Sequence, residues 1–288
     1  MLGESLDYLV LRGMAHARNR ATEEQLDSAF NQASSASLEE GRAKLDKLLG
    51  RFEGHFPLDP ALSYLDMGCG SGELTLALAA KGLRRMVGVD FLPRYIQRAQ
   101  INAQGSPSGA SARFICRDLR DWEPDEKFDV LLSMDALEHI GDPRAFLARM
   151  ADFAAPGGRA VLAFGPLFHS PFGDHMWDFF KLQLPWRGLL FSEQAMLRVR
   201  REYFRPTDPA AAYRDIAGGL NLMRYSDFLA YVRGAGWEFE YLAVNTFLRR
   251  MPPLKFACDA IMSVPALRDY FVHNVYAVLR RSAAPKSR

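Results

Sequence analysis

The spacing of hydrophobic positions changes at about residue 58. Before that point apolar residues recur every three or four positions, and those between Leu45 and Phe52 fall on one face of a predicted helix. From SYLDMGCGSG onward, short apolar runs alternate with segments of helical period. Strands that alternate with helices predict an α/β fold with a parallel sheet and right-handed crossovers.

The alternating part contains five strand candidates with helices between them. The predicted strands are YLDMG, MVGVD, ARFICRD, FDVLLSM and RAVLAFG, and the predicted helices are ELTLALAAKG, LPRYIQRAQINAQ and PRAFLARMADFAAPGG. After Gly165 the alternation stops for about sixty residues, which indicates an insertion because simple loops are far shorter.

The pattern resumes at YSDFLAYVRGAGW, an amphipathic helix that ends in glycines. Two strand candidates follow, EFEYLAVNTF and FVHNVYAVLRR, with no convincing helix between them, so they predict a closing hairpin. The predicted units are an N-terminal helical cap (1–57), a ligand-binding α/β core (58–165), a substrate-binding insertion (166–222) and a C-terminal completion of the sheet (223–288).

Composition and charge narrow the class of protein. The 288 residues are 49% hydrophobic, which suffices for a sizeable core. A net charge of +2, from 36 basic and 34 acidic residues, gives no indication of a nucleic-acid partner. The three cysteines lack CxxC spacing and indicate a reducing compartment. With neither a signal peptide nor an apolar run of about 18 residues, we expect a cytoplasmic protein without a membrane span.

A glycine-rich loop follows the first predicted strand. Gly68, Gly70 and Gly72 lie between this strand and a helix, at the carboxyl edge where open α/β sheets bind ligands. Asp90 ends the next strand, twenty residues after Gly70, and an acidic residue there can accept hydrogen bonds from ribose hydroxyls. The pattern therefore predicts a nucleoside site.

Charge beside the loop selects among nucleoside ligands. Asp66 and Glu73 flank the glycines, and two carboxylates would repel a pyrophosphate. They suit an adenosine-like ligand whose other end is cationic.

Four motifs in order, LDMGCGSG, VD, RDLRDW and FDVLLSMDALEHIGDP, resemble those of class I S-adenosylmethionine (SAM)-dependent methyltransferases over roughly residues 60–165. The resemblance implies SAM as cofactor. It also implies a Rossmann-like, mostly parallel sheet of seven strands with helices on both faces. To this sheet are added an N-terminal helical extension and a helical, aromatic insertion after the fifth strand.

The same resemblance assigns roles to residues at the strand ends. It implies that the methionine part of SAM is held by Asp66, Gly68, Cys69, Gly70 and Gly72. It implies that the ribose and adenine are held by Asp90, Phe91, Asp118 and Leu119, and that Ser133 and Met134 form the floor. Simple polarity at strand ends stays open as the alternative for Asp118 and Ser133.

Three histidines are candidates for a catalytic base, because histidine titrates near neutral pH: His139, His169 and His175. His139 lies in DALEHIGDP, which resembles the acidic-x-x-Glu-His motif that binds a divalent cation in ubiquinone-pathway O-methyltransferases. The favoured interpretation is that Glu138 and His139 pack beneath the site, so no metal is predicted.

The stretch GPLFHSPFGDHMWDFFKLQLPW begins where the fifth predicted strand ends. Its aromatic residues would exclude water and grip an acceptor, while its polar residues would orient the acceptor and take its proton. We therefore expect a substrate lid with His169 or His175 as the base and Asp174 as an orienting carboxylate. The alternative is that these histidines bind backbone carbonyls within a folded insertion.

Taken together, these features predict O-methylation of a small-molecule acceptor, a natural product or sugar. C- or N-methylation is the alternative, although the (N/D)PP(Y/F) tetrapeptide typical of many nitrogen sites is replaced by SMDA. A non-catalytic SAM-binding subunit and an NAD-dependent oxidoreductase are the other classes considered. The sequence leaves the oligomeric state open, with a homodimer among the options.

Overall fold

The computed structural model describes residues 5–16, 38–216, 219–246 and 260–282. Within these ranges the chain forms one seven-stranded sheet of order β3-β2-β1-β4-β5-β7-β6. The strands are β1 (Ser63–Met67), β2 (Arg85–Asp90), β3 (Ala112–Cys116), β4 (Phe128–Met134), β5 (Ala154–Phe164), β6 (Trp237–Thr246) and β7 (Val272–Arg281). Pairing is parallel from β3 through β5, and β7 is antiparallel to both of its neighbours. The predicted fold class is confirmed.

Nine α-helices lie entirely within the described ranges. They are α1 (Leu6–Met14), α2 (Leu38–Arg51), α3 (Glu73–Ala80), α4 (Pro93–Gln104), α5 (Pro143–Phe153), α6 (Arg187–Leu190), α7 (Glu193–Tyr203), α8 (Tyr225–Gly234) and α9 (Pro265–Phe271). Helix α5 shows why such segments start where they do. Pro143 fits the first helical position, and the Asp142 side chain accepts a hydrogen bond from the Ala145 amide at 2.9 Å.

Helices cover both faces of the sheet. Because successive strand residues point to opposite faces, Tyr64 packs with α2 and α3, whereas its neighbour Leu65 packs with α5 and α8. Helix α3 is buried along Leu74–Ala79, which accounts for its continuous apolar sequence. This double cover leaves the carboxyl edge of the strands for a site.

The last two strands pair side by side and antiparallel, as the sequence predicted. The connection between them differs from the expected hairpin because α9 precedes β7. Residues 247–259 lie outside the described ranges. The prediction of no helix between the two strands is therefore wrong.

The two N-terminal helices pack on different parts of the molecule. Helix α1 joins the insertion: the His16 amide donates to the Phe179 carbonyl at 3.0 Å, and the Lys181 amide donates to Met14 at 2.9 Å. Helix α2 packs against α3 in the core. The two helices are so close that a Cβ added at Gly41 would lie 2.9 Å from the Glu73 carbonyl oxygen. The two described helices of the predicted cap (1–57) thus contact the insertion and the core respectively.

No helix in the part of the chain that the structure describes is long and apolar enough to cross a membrane.

Candidate functional site

The glycine loop is shaped by its main chain. The amides of Gly68 and Cys69 both donate to the Val89 carbonyl, at 2.8 and 3.1 Å, which ties the loop to the end of β2. Gly68, Gly70 and Gly72 have φ angles of +82°, +54° and +79°, a region that L side chains adopt only with strain.

Two of these glycines serve different purposes. A Cβ at Gly72 would lie 2.7 Å from the Phe114 ring, so this position must stay small for the loop to pack on β3. A Cβ at Gly70 would meet no atom within 4 Å. Open space above Gly70 gives a ligand access to the loop backbone.

Asp90 stands at the end of β2 facing this loop. Its Oδ2 accepts a hydrogen bond from the Gly70 amide at 3.1 Å, and its Oδ1 accepts from the Leu92 amide at 2.9 Å. Each carboxylate oxygen can accept a second bond, so the geometry fits the paired hydroxyls of a ribose.

Asp66 is buried at the end of β1 and accepts a hydrogen bond from the Thr75 hydroxyl at 2.5 Å. Burial raises the pKa of its carboxyl to about 6; the Thr75 hydrogen bond and Lys44 oppose this rise, and the charges of Asp90 and Glu73 add to it. A cationic ligand would relieve this crowding of carboxylates, whereas an anionic pyrophosphate would increase it. The residues present therefore fit SAM.

The residues predicted to hold the adenine lie at the ends of β2 and β3. Phe91 is 65% exposed beside Asp90, as a ring that receives a planar ligand would be. The Arg120 side chain and amide donate to Asp118, and these hydrogen bonds lower the pKa of its carboxyl. The Leu119 carbonyl accepts from the Arg149 side chain at 3.1 Å.

Three further candidates line the inner side of the site. Ser133 and Met134 are buried at the end of β4, and the Ser133 hydroxyl has no partner among the described residues. Cys69 is buried within the loop, and burial raises the pKa of its thiol. The roles assigned to all the donor-site residues stay predictions.

Two of the three candidate histidines meet. The rings of His139 and His175 lie edge to face, with centroids 5.3 Å apart and planes at 89°. His139 Nδ1 lies 2.7 Å from the Gly219 carbonyl oxygen, and His175 Nε2 lies 2.9 Å from that of Pro166. Because a carbonyl only accepts, each of these nitrogens must carry the proton. The proton-accepting nitrogens are then Nε2 of His139 and Nδ1 of His175.

This histidine pair is adjacent to the glycine loop. A Cβ at Gly68 would lie 3.3 Å from the Ala136 Cβ, and Ala136 precedes the 3₁₀ turn Leu137–His139. The pKa of His175 is lowered, mainly by burial, so its ring is neutral at physiological pH. His175 itself has a φ of +56°, an uncommon left-handed conformation that histidine adopts more often than most residues other than glycine.

His169 lies elsewhere in the insertion. Its ring contacts Phe168 and Tyr270, and its pKa is lowered by burial and then by Arg224. Its Nδ1 is buried and has no partner among the residues that the structure describes. His169, one of the two first-choice candidates for the base, is therefore not part of the His139–His175 pair, whereas the other, His175, is.

Asp174 has a different partner from the histidine that the sequence suggested. Arg187 binds it with two hydrogen bonds, Nε to Oδ2 at 2.8 Å and Nη2 to Oδ1 at 3.0 Å. The Arg187 guanidinium also lies 3.9 Å above the Phe180 ring. Asp174 thus anchors the insertion. The arginine within LPWRGLL was the sequence signal for this ion pair.

Glu138 and Asn221 support the turn that carries His139. The Asn221 amide group donates to the Leu137 and Ile140 carbonyls at 2.6 and 2.9 Å. Glu138 is buried; its Oε1 accepts from the Gly165 amide at 3.0 Å, and burial raises its pKa to about 7. In the described ranges no three His, Cys, Asp or Glu residues form a group that could hold a metal ion.

Comparisons with known proteins agree with this geometry. A family described as a methyltransferase domain matches residues 65–158. A trans-aconitate 2-methyltransferase of Streptomyces coelicolor is 30% identical over 232 residues, 78% of this chain and 70% of the relative. A ubiquinone biosynthesis O-methyltransferase of Rhodopseudomonas palustris is 36% identical over 102 residues, 35% of this chain and 39% of the relative.

Among solved structures, the magnesium protoporphyrin IX methyltransferase of Synechocystis PCC 6803, with bound SAH, has the same fold. It superimposes with a TM-score of 0.50 at 17% identity, covering 96% of this chain and 93% of its own. The glycine loop among carboxylates, the seven-stranded sheet and a 30% identical relative all point to the same family. The chain therefore belongs to the class I SAM-dependent methyltransferases, and SAM is its cofactor.

Proposed function

We propose that this methyltransferase transfers its methyl group to a hydroxyl of a small molecule, with His139 as the general base and His175 as a positioning residue. The His139–His175 pair beside the glycine loop carries the proposal. When bound, SAM supplies a methyl group that is activated by its sulfonium.

The hydrogen bond from Nδ1 to the Gly219 carbonyl orients the His139 ring and fixes its proton on that nitrogen. Nε2 is then the nitrogen that accepts the hydroxyl proton while the oxygen–methyl bond forms and the methyl–sulfur bond breaks. His139 is exposed, so an acceptor can reach it, whereas His175 is half buried and packs against its ring. Such a base typically contributes about 10²–10⁴ in rate.

The donor side of the site is assigned to the loop and its carboxylates. In this proposal Asp66 and Gly68–Gly72 hold the methionine part, Asp90 binds the ribose, and Phe91, Asp118 and Leu119 surround the adenine, with Ser133 and Met134 beneath. The carboxylate crowding around Asp66 supports this assignment.

Relatives indicate the acceptors to test first. Besides the two enzymes described above, a 27-O-demethylrifamycin SV methyltransferase of Amycolatopsis mediterranei is 29% identical over 151 residues, 52% of this chain and 54% of the relative. A panel of phenols, sugar hydroxyls and polyketide hydroxyls therefore samples the proposed class.

The decisive experiment compares His139→Gln with the wild type on an acceptor from this panel. We expect turnover to fall by about 10²–10⁴, with SAM affinity unchanged by calorimetry. His55→Gln is the matched control, because His55 is exposed and stacks on Tyr241 away from the pair. Unchanged turnover in His139→Gln, or a larger loss in His169→Gln, would contradict the proposal.

A carboxylate oxygen is the second candidate acceptor, since the Streptomyces relative is named a trans-aconitate methyltransferase. An ionised carboxylate has no proton to lose and needs no base. If organic acids are the substrates, His139→Gln will keep the wild-type dependence of turnover on pH. This outcome separates the two acceptor classes.

A further inference from the structure

A cavity of about 270 Å³ lies at the edge of the sheet opposite the glycine loop, where β1, β2, β3 and β4 begin. Three arginines are part of its lining: Arg84, Arg85 and Arg113. Strands β1 and β2 run from this cavity to the donor site, which they reach at Asp66 and Asp90. Because a strand rises about 3.3 Å per residue, the two sites are roughly 15 Å apart, and a ligand here would bind in addition to SAM.

The register of the strands brings two of these arginines together. Arg113 of β3 is opposite Val87 of β2, and Arg85 precedes Val87 by two residues. Side chains two residues apart point to the same face of a sheet, so Arg85 and Arg113 are diagonal neighbours on that face. Long side chains reach each other at this spacing, and like charges there repel. Such an arrangement needs a negative charge between the two guanidinium groups.

The protein supplies little of that charge. Among the described residues that line the cavity, Glu126 is the acidic one, and it pairs with Arg85, Nη2 to Oε2 at 3.2 Å. Arg84 and Arg113 have no acidic partner in the part of the chain that the structure describes. Asp129, close by, is bonded to the amide and hydroxyl of the first residue of β1, both at 2.8 Å. Three arginines against one glutamate leave two positive charges in the lining, which complement a phosphate dianion.

A second cavity adjoins the first and has a different lining. It has a volume of about 190 Å³ and shares Arg113 and Phe128 with the first cavity. Ile115 and Trp122 add apolar surface, and Asp125 adds a negative charge that would repel an anion. The first cavity therefore suits a phosphate group, and the second suits an uncharged ring, which can pack against the Trp122 indole.

We propose that the two cavities form one site for a small organic phosphate, whose phosphate group is bound by Arg84, Arg85 and Arg113 and whose apolar ring is bound by Trp122. A guanidinium group donates two parallel hydrogen bonds to phosphate oxygens, so arginines recognise this group in preference to a simple halide ion. The first cavity is slightly smaller than most ligand pockets, which measure about 300–1,000 Å³, so the ligand is small. The site uses none of the residues assigned to SAM or to the methyl acceptor, and it does not depend on the methyl transfer proposed above.

Calorimetric titration with phenyl phosphate and with inorganic phosphate, in about 0.15 M salt, tests the proposal. Phenyl phosphate should bind more tightly than inorganic phosphate, and saturating SAM should leave both affinities unchanged. We expect Arg113→Gln to weaken phenyl phosphate binding about tenfold or more, because charge-assisted hydrogen bonds are lost. Arg144→Gln is the matched control, since Arg144 is an exposed arginine of α5 that lines neither cavity. Trp122→Leu should remove the advantage of phenyl phosphate over inorganic phosphate.

Each variant is also titrated with SAM, which shows that it is folded. Arg84 precedes β2, so Arg84→Gln leaves the strand pairing intact, and it should weaken phenyl phosphate binding as well. This second variant decides the question if Arg113→Gln weakens SAM binding too. Absence of phenyl phosphate binding, equal binding by the wild type and both arginine variants, an unchanged preference in Trp122→Leu, or displacement of the ligand by SAM would each overturn the proposal.

Discussion

The glycine loop after β1 and the insertion after β5 leave the same edge of the sheet but are held in different ways. The loop depends on neighbouring backbone: Gly68 and Cys69 bond to Val89, and three glycines take left-handed angles. The insertion depends on side chains far apart in sequence, such as Phe179 and Phe204, which stack with centroids 4.3 Å apart.

This difference matches the chemistry on the two sides. Every member of the family binds the same donor, so a rigid backbone cradle serves them all. Acceptors differ between members, and an insertion held by side-chain packing can change its lining without disturbing the glycine loop. We therefore expect substitutions in the insertion to leave SAM binding by the glycine loop unchanged, and substitutions in the loop to leave the packing of the insertion unchanged.

The largest expected effect is in the insertion. Asp174→Ala leaves the Arg187 guanidinium, 1% exposed, without its counter-charge, and should lower the free energy of unfolding by about 3–5 kcal/mol. Urea denaturation measures this loss, and SAM affinity at low temperature should be unchanged. Lys81→Ala, which removes the exposed ion pair with Asp46, should cost less than about 1 kcal/mol. Equal losses in the two variants would contradict this interpretation.

Two glycine substitutions test the cradle. Gly72→Ala should lower stability by about 2–4 kcal/mol, since it adds a clash with Phe114 to the strain of a left-handed angle. Gly70→Ala carries the strain alone, about 1–2 kcal/mol, but its methyl group enters the open space above the loop. Gly72→Ala should therefore show the greater loss of stability in thermal unfolding. Gly70→Ala should show the greater loss of affinity in SAM titration. A Gly70→Ala variant with normal SAM affinity would show that the ligand does not approach this residue.

Glu138 lies between the two regions and gives a pH signature. Burial raises its pKa from 4.5 to about 7, so the folded state keeps a proton that the unfolded state loses. The contribution of protonated Glu138 to the stability of the fold is therefore complete below pH 4.5, and it is lost as the pH rises through about 7. Glu138→Gln, which keeps an acceptor for the Gly165 amide, should be more stable than the wild type at pH 8 by up to about 3 kcal/mol.

Denaturation of both proteins at pH 4.5 and pH 8 checks this prediction. The wild type should lose stability between the two values, and the variant should lose less. Parallel changes in both would mean that Glu138 is ionised in the folded protein at neutral pH.

The smallest expected effect concerns Asp66. SAM should bind better to the ionised carboxylate, whose pKa is raised to about 6. Affinity should therefore fall below pH 6, by at most about tenfold for each pH unit. Asp66→Asn should bind SAM more weakly at pH 8 and show a flatter profile. An unchanged profile in this variant would place the titrating group elsewhere.

Local signals in the sequence predicted which donor-site candidates lie close together, and their roles stay predictions. Gly70 and Asp90 lie in a strand–loop–helix pattern whose geometry is fixed within a few residues, and the structure brings them to 3.1 Å. The seven-stranded sheet was implied by resemblance to the family, since the position of β7 between β5 and β6 depends on contacts that no local pattern contains.

The acceptor half could not be worked out in the same way. His139 and His175 are in contact only because the insertion folds back over the end of β4. Asp174 forms an ion pair with Arg187 instead of a contact with a histidine. These partners are chosen by packing among many aromatic side chains. The sequence supplied the candidate residue types but left open which of them would be in contact.

The contacts of helix α1 also bear on the order in which the chain can fold during synthesis. Helix α1 packs against α7, and Ala15, directly after this helix, forms an antiparallel bridge with Phe180. Some two hundred residues must be translated before its partners exist, although domains otherwise tend to fold from the N-terminus onward. We therefore expect the apolar face of α1 to pack only after α7 has been translated.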